Sequence, residues 1–355
     1  MTLHLDRSRR TTSPSTALLH LIAPGGGDIA LPDSDWELLL RLAEQHGLQA
    51  LLHARLEGVE ELLPAAVAGR LRHARKASAA EIAFFEYGTQ EVIDLFHQHG
   101  VPLVAFKGVP LARALFGDPS LRPTSDIDVM VRRAHLERAR QLLEAAGWHI
   151  QSEWVIHHNF AKPFGGAIIP LELHWTSQRD GEYHIPEDSL WEEASLAGQA
   201  WRFSDEMTLL ILVLHAARHA FAPYRLLVDI AYALHHWHDT LDWERLVELA
   251  EQSDALPLLA LVLALVQRDL AAPPPRHHAL QALRQSWRVR LAAHYLSLRH
   301  LLARRRFPIF DRYWVPLLTG NWGPLRLFLR DLIPPPDVLA YIYQVPRNSP
   351  RLLLY

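Results

Sequence analysis

Asp126 and Asp128 stand one residue apart in the run Ser125-Asp-Ile-Asp-Val-Met-Val131. Strand side chains alternate between faces, so the two carboxylates point to one side while Ile127, Val129 and Val131 bury the other. Carboxylates held side by side repel unless a cation sits between them, and a divalent metal meets that need. Further along, Leu171-Glu-Leu-His-Trp175 reads as a second such strand, with Glu172 and His174 together on one face. A third acid beside the pair lets two metals be shared among three carboxylates. That chemistry suits phosphoryl or nucleotidyl transfer, in which metals neutralise phosphate oxygens and activate an attacking hydroxyl.

The elements that must hold these groups follow from the local pattern. Residues 101–131 read as an apolar strand, a Lys107-Gly108 turn, a short helix, an irregular connection carrying Arg122, and the Asp-x-Asp strand. Residues 134–146 predict a helix closed by Gly147, residues 148–154 a strand, Gly165-Gly166 a turn and residues 170–175 a further strand. Upstream, helices are expected at 33–45, 48–56, within 65–79 and at 81–99. From Asp188 onward the pattern is helical, interrupted by prolines at 273–275 and 334–336. The expected organisation is an N-terminal helical segment (1–80), an α/β core (81–185) and a C-terminal helical domain (186–355).

Several residues carry two open readings. Lysine occurs at positions 76, 107 and 162 alone among 36 basic residues, so Lys107 at the strand-to-helix turn suggests a need for a compact ammonium; a snorkelling surface lysine is the plain alternative. Arg122 either meets a phosphate oxygen or holds its loop, and a pairing of Glu172 with Arg122 is a further option. Ser125 either caps backbone or touches phosphate, and His174 beside Glu172 reads first as a structural hydrogen-bonding group. His215 and His219 lie one helical turn apart, a zinc-compatible spacing, but no Glu follows His215 as H-E-x-x-H requires. With 22 histidines in the chain, adjacent pairs such as His157-His158 and His235-His236 are expected by chance.

Taken together, Lys107-Gly108, Arg122, Asp126-Ile-Asp128-Val and Glu172-Leu-His174-Trp resemble the nucleotidyltransferase superfamily with the DNA polymerase β type fold. The likeness is greatest to the bacterial family of uncharacterised nucleotidyltransferases, some encoded beside peptide natural-product or polysaccharide genes. His215, His219, Arg225, Leu226 and Asp229 look like that family's downstream pattern, so the resemblance covers most of the chain. It implies an α+β fold, a small mixed-sheet core with N-terminal helices and a C-terminal all-helical domain that shapes the acceptor pocket. It also implies that Asp126 and Asp128 hold Mg²⁺ or Mn²⁺, with Glu172 as third ligand or as base for the acceptor hydroxyl. Lys107, Gly108, Arg122, Ser125 and His174 are then the groups expected around the NTP, with His215, His219 and Asp229 near the cleft. Lys107-Gly108 stands where the superfamily has Gly-Ser at a helix N-terminus cradling the triphosphate, a departure in which Lys107 supplies the charge.

Composition bounds these expectations. Apolar residues make up 49% and charged residues 21% of 355, which excludes a disordered chain. Cysteine is absent, so disulfides, thiolate nucleophiles and cysteine metal sites are excluded, in keeping with a cytoplasmic location. The longest apolar run, residues 256–266, falls short of the roughly 20 residues a membrane span needs, and the short run at 17–23 reads as a leader to the first helix. Net charge is -3, yet from Ala271 onward there are 13 Arg, no Lys and 3 Asp. Because those arginines are scattered among Leu, Trp and Phe, docking against the acidic part of the chain fits better than a nucleic-acid surface.

The expected function is therefore metal-dependent transfer of a nucleoside monophosphate from an NTP to a hydroxyl or phosphate acceptor, releasing pyrophosphate. The acceptor is a small molecule, peptide or protein, such as a peptide or polysaccharide-pathway intermediate in natural-product biosynthesis. The alternative is a catalytically inactive nucleotide- or peptide-binding module on the same fold.

Overall fold

A computed structural model of the chain describes residues 13–26, 35–154, 156–177, 183 and 185–296. Helix α1 (Pro14–Ile22) starts on the Ser13 hydroxyl, which accepts from the Thr16 N–H, and Pro14 occupies a first-turn position that needs no N–H. Helices α2 (Trp36–Gln45) and α3 (Gln49–Arg55) follow, close to the expected spans. The two helices expected at 65–79 and 81–99 are one, α4 (Ala65–Gln98). The stretch Ala77-Ser-Ala-Ala80 contains no breaker and is rich in the best helix former, so nothing stops the helix there. Residue 80, the expected boundary between the first two segments, lies inside this helix of about 50 Å.

The sheet begins with β1 (Val104–Ala105), much shorter than the expected apolar strand, and passes through α5 (Gly108–Phe116) into β2 (Ile127–Met130). Helix α6 (Leu136–Ala145) leads to β3 (His149–Glu153), β4 (His157–Phe164) and β5 (Ala167–His174). After α7 (Glu187–Glu192) the chain departs from the helical pattern expected beyond Asp188 and forms a hairpin, β6 (Ala194–Ala197) and β7 (Ala200–Phe203). Gly198, at φ 69°, turns the hairpin, and β7 adds to the sheet beside β1. Strand order is β3-β4-β5-β2-β1-β7-β6. The β2–β5 and β1–β7 pairs are parallel and the rest antiparallel, which makes the sheet mixed and the fold α+β.

Six helices complete the described chain: α8 (Asp205–Arg218), α9 (Arg225–Trp237), α10 (Trp243–Gln252), α11 (Leu256–Leu270), α12 (His278–Gln285) and α13 (Trp287–Tyr295). The apolar run 256–266 is a buried core helix, and among the described residues no helix is long and apolar enough to cross a membrane. One hydrophobic cluster joins α1–α3 and the start of α4 to the helices after the sheet. Polar contacts tie the same parts together: the Tyr232 hydroxyl donates to the Ile22 carbonyl at 3.2 Å, and the Tyr224 N–H to His46 Nδ1 at 3.0 Å. A second cluster packs the later half of α4 and α6 on the sheet through Ile82, Phe85, Val92, Leu143, Ile127 and Leu171. The arginine-rich stretch after residue 296, with Arg304-Arg305-Arg306 and Pro334–336, lies outside the described residues.

Candidate active site

The parallel pairing of β2 with β5 sets Asp128 in register with Glu172 and Met130 with His174. In-register residues of neighbouring strands share a pleat face, so the acids predicted from two separate motifs meet across one strand boundary. Across the antiparallel β4–β5 pair, His157 is the register partner of His174. Strands β2, β5 and β4 thereby gather two acids and two imidazoles side by side.

Hydrogen bonds then close most of this group. Lys107 Nζ lies 3.0 Å from Asp128 Oδ1, with both side chains 8% exposed. His174 Nε2 is 3.2 Å from the same oxygen and 3.1 Å from Glu172 Oε2, and its ring meets Phe106 edge-on. His157 Nε2 stands 3.6 Å from Glu172 Oε1. Burial alone would raise the Asp128 pKa, but Lys107 and His174 outweigh it and hold the carboxyl well below the usual range. For Glu172 burial is likewise overcome, here by the His174 hydrogen bond, and the pKa is lowered. His157 is pushed down to about 4 by burial and by its neighbour His174, so it is neutral near pH 7.

Asp126 differs. It precedes β2 by one residue, and its side chain forms no hydrogen bond among the described residues. Burial, with the charges of Asp128 and Glu172, lifts its pKa to about 6. The loop that carries it is fixed from both ends. Gly108 adopts φ 57°, and a Cβ there would come 3.3 Å from the Asp126 carbonyl oxygen, so the turn and the acid are in backbone contact. Thr124 Oγ1 donates to that same carbonyl at 3.1 Å, and Ser78 of α4 donates to the Ser120 carbonyl at 2.7 Å. Arg75 of α4 also pairs with Asp118.

A cleft of about 400 Å³ opens over these groups. Lys107, Gly108, Arg122, Ser125, Asp126, Asp128 and Glu172 all line it, while His174 sits behind the acids at 1% exposure. His215, Arg218, His219 and Arg225, from the end of α8 and the start of α9, also line it, as does His157. Asp229 joins the site indirectly: Arg122 Nε lies 3.0 Å from each of its oxygens, so the pairing of Arg122 with Glu172 is replaced by one with Asp229. The rings of His215 and His219 lie with centroids 4.5 Å apart and planes tilted 59° to each other. Among the described residues the three donor-bearing side chains close enough to share one metal are His157, Glu172 and His174. His157 looked like chance as one of an adjacent pair; its alignment with His174 across the β4–β5 turn was the signal that marked it.

A mixed sheet whose parallel strands carry Asp128 and Glu172, with Asp126 just before β2 and a glycine turn opening a helix beside them, agrees with what the sequence resemblance to nucleotidyltransferases implies. The chain belongs to the family of uncharacterised nucleotidyltransferases, which matches it over residues 32–271. No curated protein and no solved structure matches the chain.

Proposed function

We propose that the cleft transfers a nucleoside monophosphate from an NTP to a hydroxyl or phosphate of an acceptor, with pyrophosphate as the second product. The observation that carries this reading is the in-register approach of Asp128 and Glu172 beside Asp126, in a cleft also lined by Lys107, Arg218 and Arg225. Asp126, Asp128 and Glu172 would hold Mg²⁺ or Mn²⁺ as acids shared between two ions, since the donors that converge closely enough for one ion are those of His157, Glu172 and His174. The raised Asp126 pKa fits that role, because burial first, and then the charges of Asp128 and Glu172, disfavour its ionised form, and a bound divalent cation would offset both. Bound there, the metal supplies neutralisation of phosphate oxygens and activation of the acceptor hydroxyl.

The chain's own groups divide the remaining work. Lys107 and His174 keep Asp128 ionised and fixed in place. Gly108 opens α5, whose first N–H groups and positive dipole end suit an anion, while Pro110 withholds one donor. Ser125, exposed at the cleft, is free to meet the substrate. Candidate acceptors are peptides, proteins or polysaccharide-pathway intermediates in natural-product biosynthesis. The test is pyrophosphate release from each NTP with Mg²⁺ or Mn²⁺ and a panel of such acceptors. Activity that survives a chelator, or Asp126→Asn, would overturn the reading.

One observation favours the second reading, a nucleotide-binding module without turnover: Asp128 is already engaged by Lys107 and His174. Calorimetry that detects NTP binding, with no pyrophosphate formed by any acceptor, would select it.

A further inference from the structure

Arg225 opens helix α9, lines the cleft, and is only partly exposed. Its Nε is buried without a hydrogen-bond partner, and the guanidinium forms no ion pair among the described residues. Its neighbour Arg122 takes both oxygens of Asp229, so that carboxylate and Asp126 reach Arg225 only by charge, without a hydrogen bond. Burial, and then the charge of Arg122, pushes the Arg225 pKa down, as expected for a cation whose charge is not compensated. Buried polar groups in folded proteins are nearly always paired, so an open one calls for a functional account.

The protein also holds this side chain in place. Gly47, at φ 67° between α2 and α3, lies so near that a Cβ there would come 3.2 Å from Arg225 Nη1 and 3.5 Å from its Cδ. The adjacent residues His46 and Tyr224 are joined by the hydrogen bond from the Tyr224 N–H. The N-terminal helices thus form the bed on which an unpaired guanidinium is presented to the cleft. Arg is suited to that task, since its planar fork matches phosphate oxygens and it cannot shed its charge.

We propose that Arg225 is a phosphate-binding residue, whose guanidinium pairs with the polyphosphate tail of the nucleotide and takes over the anchoring that the missing Ser hydroxyl at the Lys107-Gly108 turn would have given. The proposal rests on the nucleotidyl-transfer reading only in naming the NTP as the source of the phosphates. It predicts opposite effects on stability and on binding. Without ligand, Arg225 is a half-buried cation with no hydrogen-bonded acid, so its removal leaves the fold unharmed or firmer; with ligand, its removal deletes a charged hydrogen bond.

The experiment compares full-length wild type, Arg225→Gln and Arg225→Lys by thermal unfolding and by calorimetry with ATP, AMP and inorganic tripolyphosphate in Mg²⁺ buffer, with no acceptor present. Arg225→Gln should bind ATP and tripolyphosphate about tenfold to a hundredfold more weakly, bind AMP nearly as wild type does, and unfold at the same or a higher Tm. Arg225→Lys should keep part of the affinity. Unchanged ATP affinity in Arg225→Gln, an equal loss for AMP and ATP, or a clear fall in Tm would each overturn the proposal while leaving the transfer reading standing. A wild-type protein that binds neither ATP nor tripolyphosphate would overturn both.

Discussion

The acids of the cleft come from the sheet and most of its cations from the helices, and the two sets are satisfied to different degrees. On the sheet, strand register brings Asp128, Glu172 and His174 to fixed spacings, and Lys107 closes the group from the turn beside it. On the helical side, Arg122 and Asp229 close on each other, and Arg225 is left over. Each set therefore leaves one charge without a hydrogen-bonded partner of opposite sign, Asp126 among the acids and Arg225 among the cations. Those two, one calling for a metal and the other for a phosphate, mark where a ligand completes the site.

The contrast is open to attack at both ends. Asp126→Asn should lower nucleotidyl transfer about a thousandfold or more while leaving Tm unchanged or raised, because burial already disfavours its charged form. Asp128→Asn should lower transfer as much and destabilise the fold as well, since Lys107 then stays buried without its anion, at about 3–5 kcal/mol. Pyrophosphate release and thermal unfolding on the same preparations separate the two. Equal Tm losses would mean that Asp126 is as fully paired as Asp128, and the comparison would fail on the acidic side.

The matching pair on the helical side is Arg122 and Arg225. Arg122→Gln strands Asp229, at 1% exposure, without its cation and should cost about 3–5 kcal/mol, whereas Arg225→Gln should cost nothing measurable. Urea unfolding reads the difference directly, and similar losses in both variants would erase it.

The smallest expected effect is one of pH. Burial, with Arg218 and Lys107 close by, lowers the pKa of His215 well below 6.5, and that of His219 falls to about 4 through burial, Arg218, Lys107 and Arg225. The unfolded chain then binds more protons than the native one between pH 6.5 and about 4, so stability declines as pH falls through that window. The His219 ring is exposed at the cleft, which keeps its share small. Replacing His219 with Gln should flatten the slope of Tm against pH below 6.5; an unaltered slope would show that the cleft does not hold this imidazole neutral.

How much of this was readable beforehand depends on the range of the interaction. The Gly108 turn, α5, the Gly165-Gly166 turn and β5 all rest on neighbours a few residues apart, and local pattern finds them, whereas β4 (His157–Phe164) falls where only the turn is expected. The hairpin β6–β7 was missed because its four-residue strands, Ala194–Ala197 and Ala200–Phe203, are too short to show a period against the surrounding helical residues. The continuity of α4 was missed for the opposite reason, since an expected boundary was imposed on a run that contains no breaker.

The sequence by itself determined which chemistry the cleft could hold: three carboxylates in two strand segments and the loop before one of them, a lysine and a glycine at a helix start, and membership of the nucleotidyltransferase family. Only the tertiary structure decided which charges are already spent. Lys107 finds Asp128 because β1 and β2 are neighbours, Arg122 finds Asp229 across 107 positions of sequence, and Arg225 Nε is left without a hydrogen-bond partner. Charge type is a property of each residue, but compensation depends on which partners packing brings within about 3 Å of it, and that is set by contacts between distant segments.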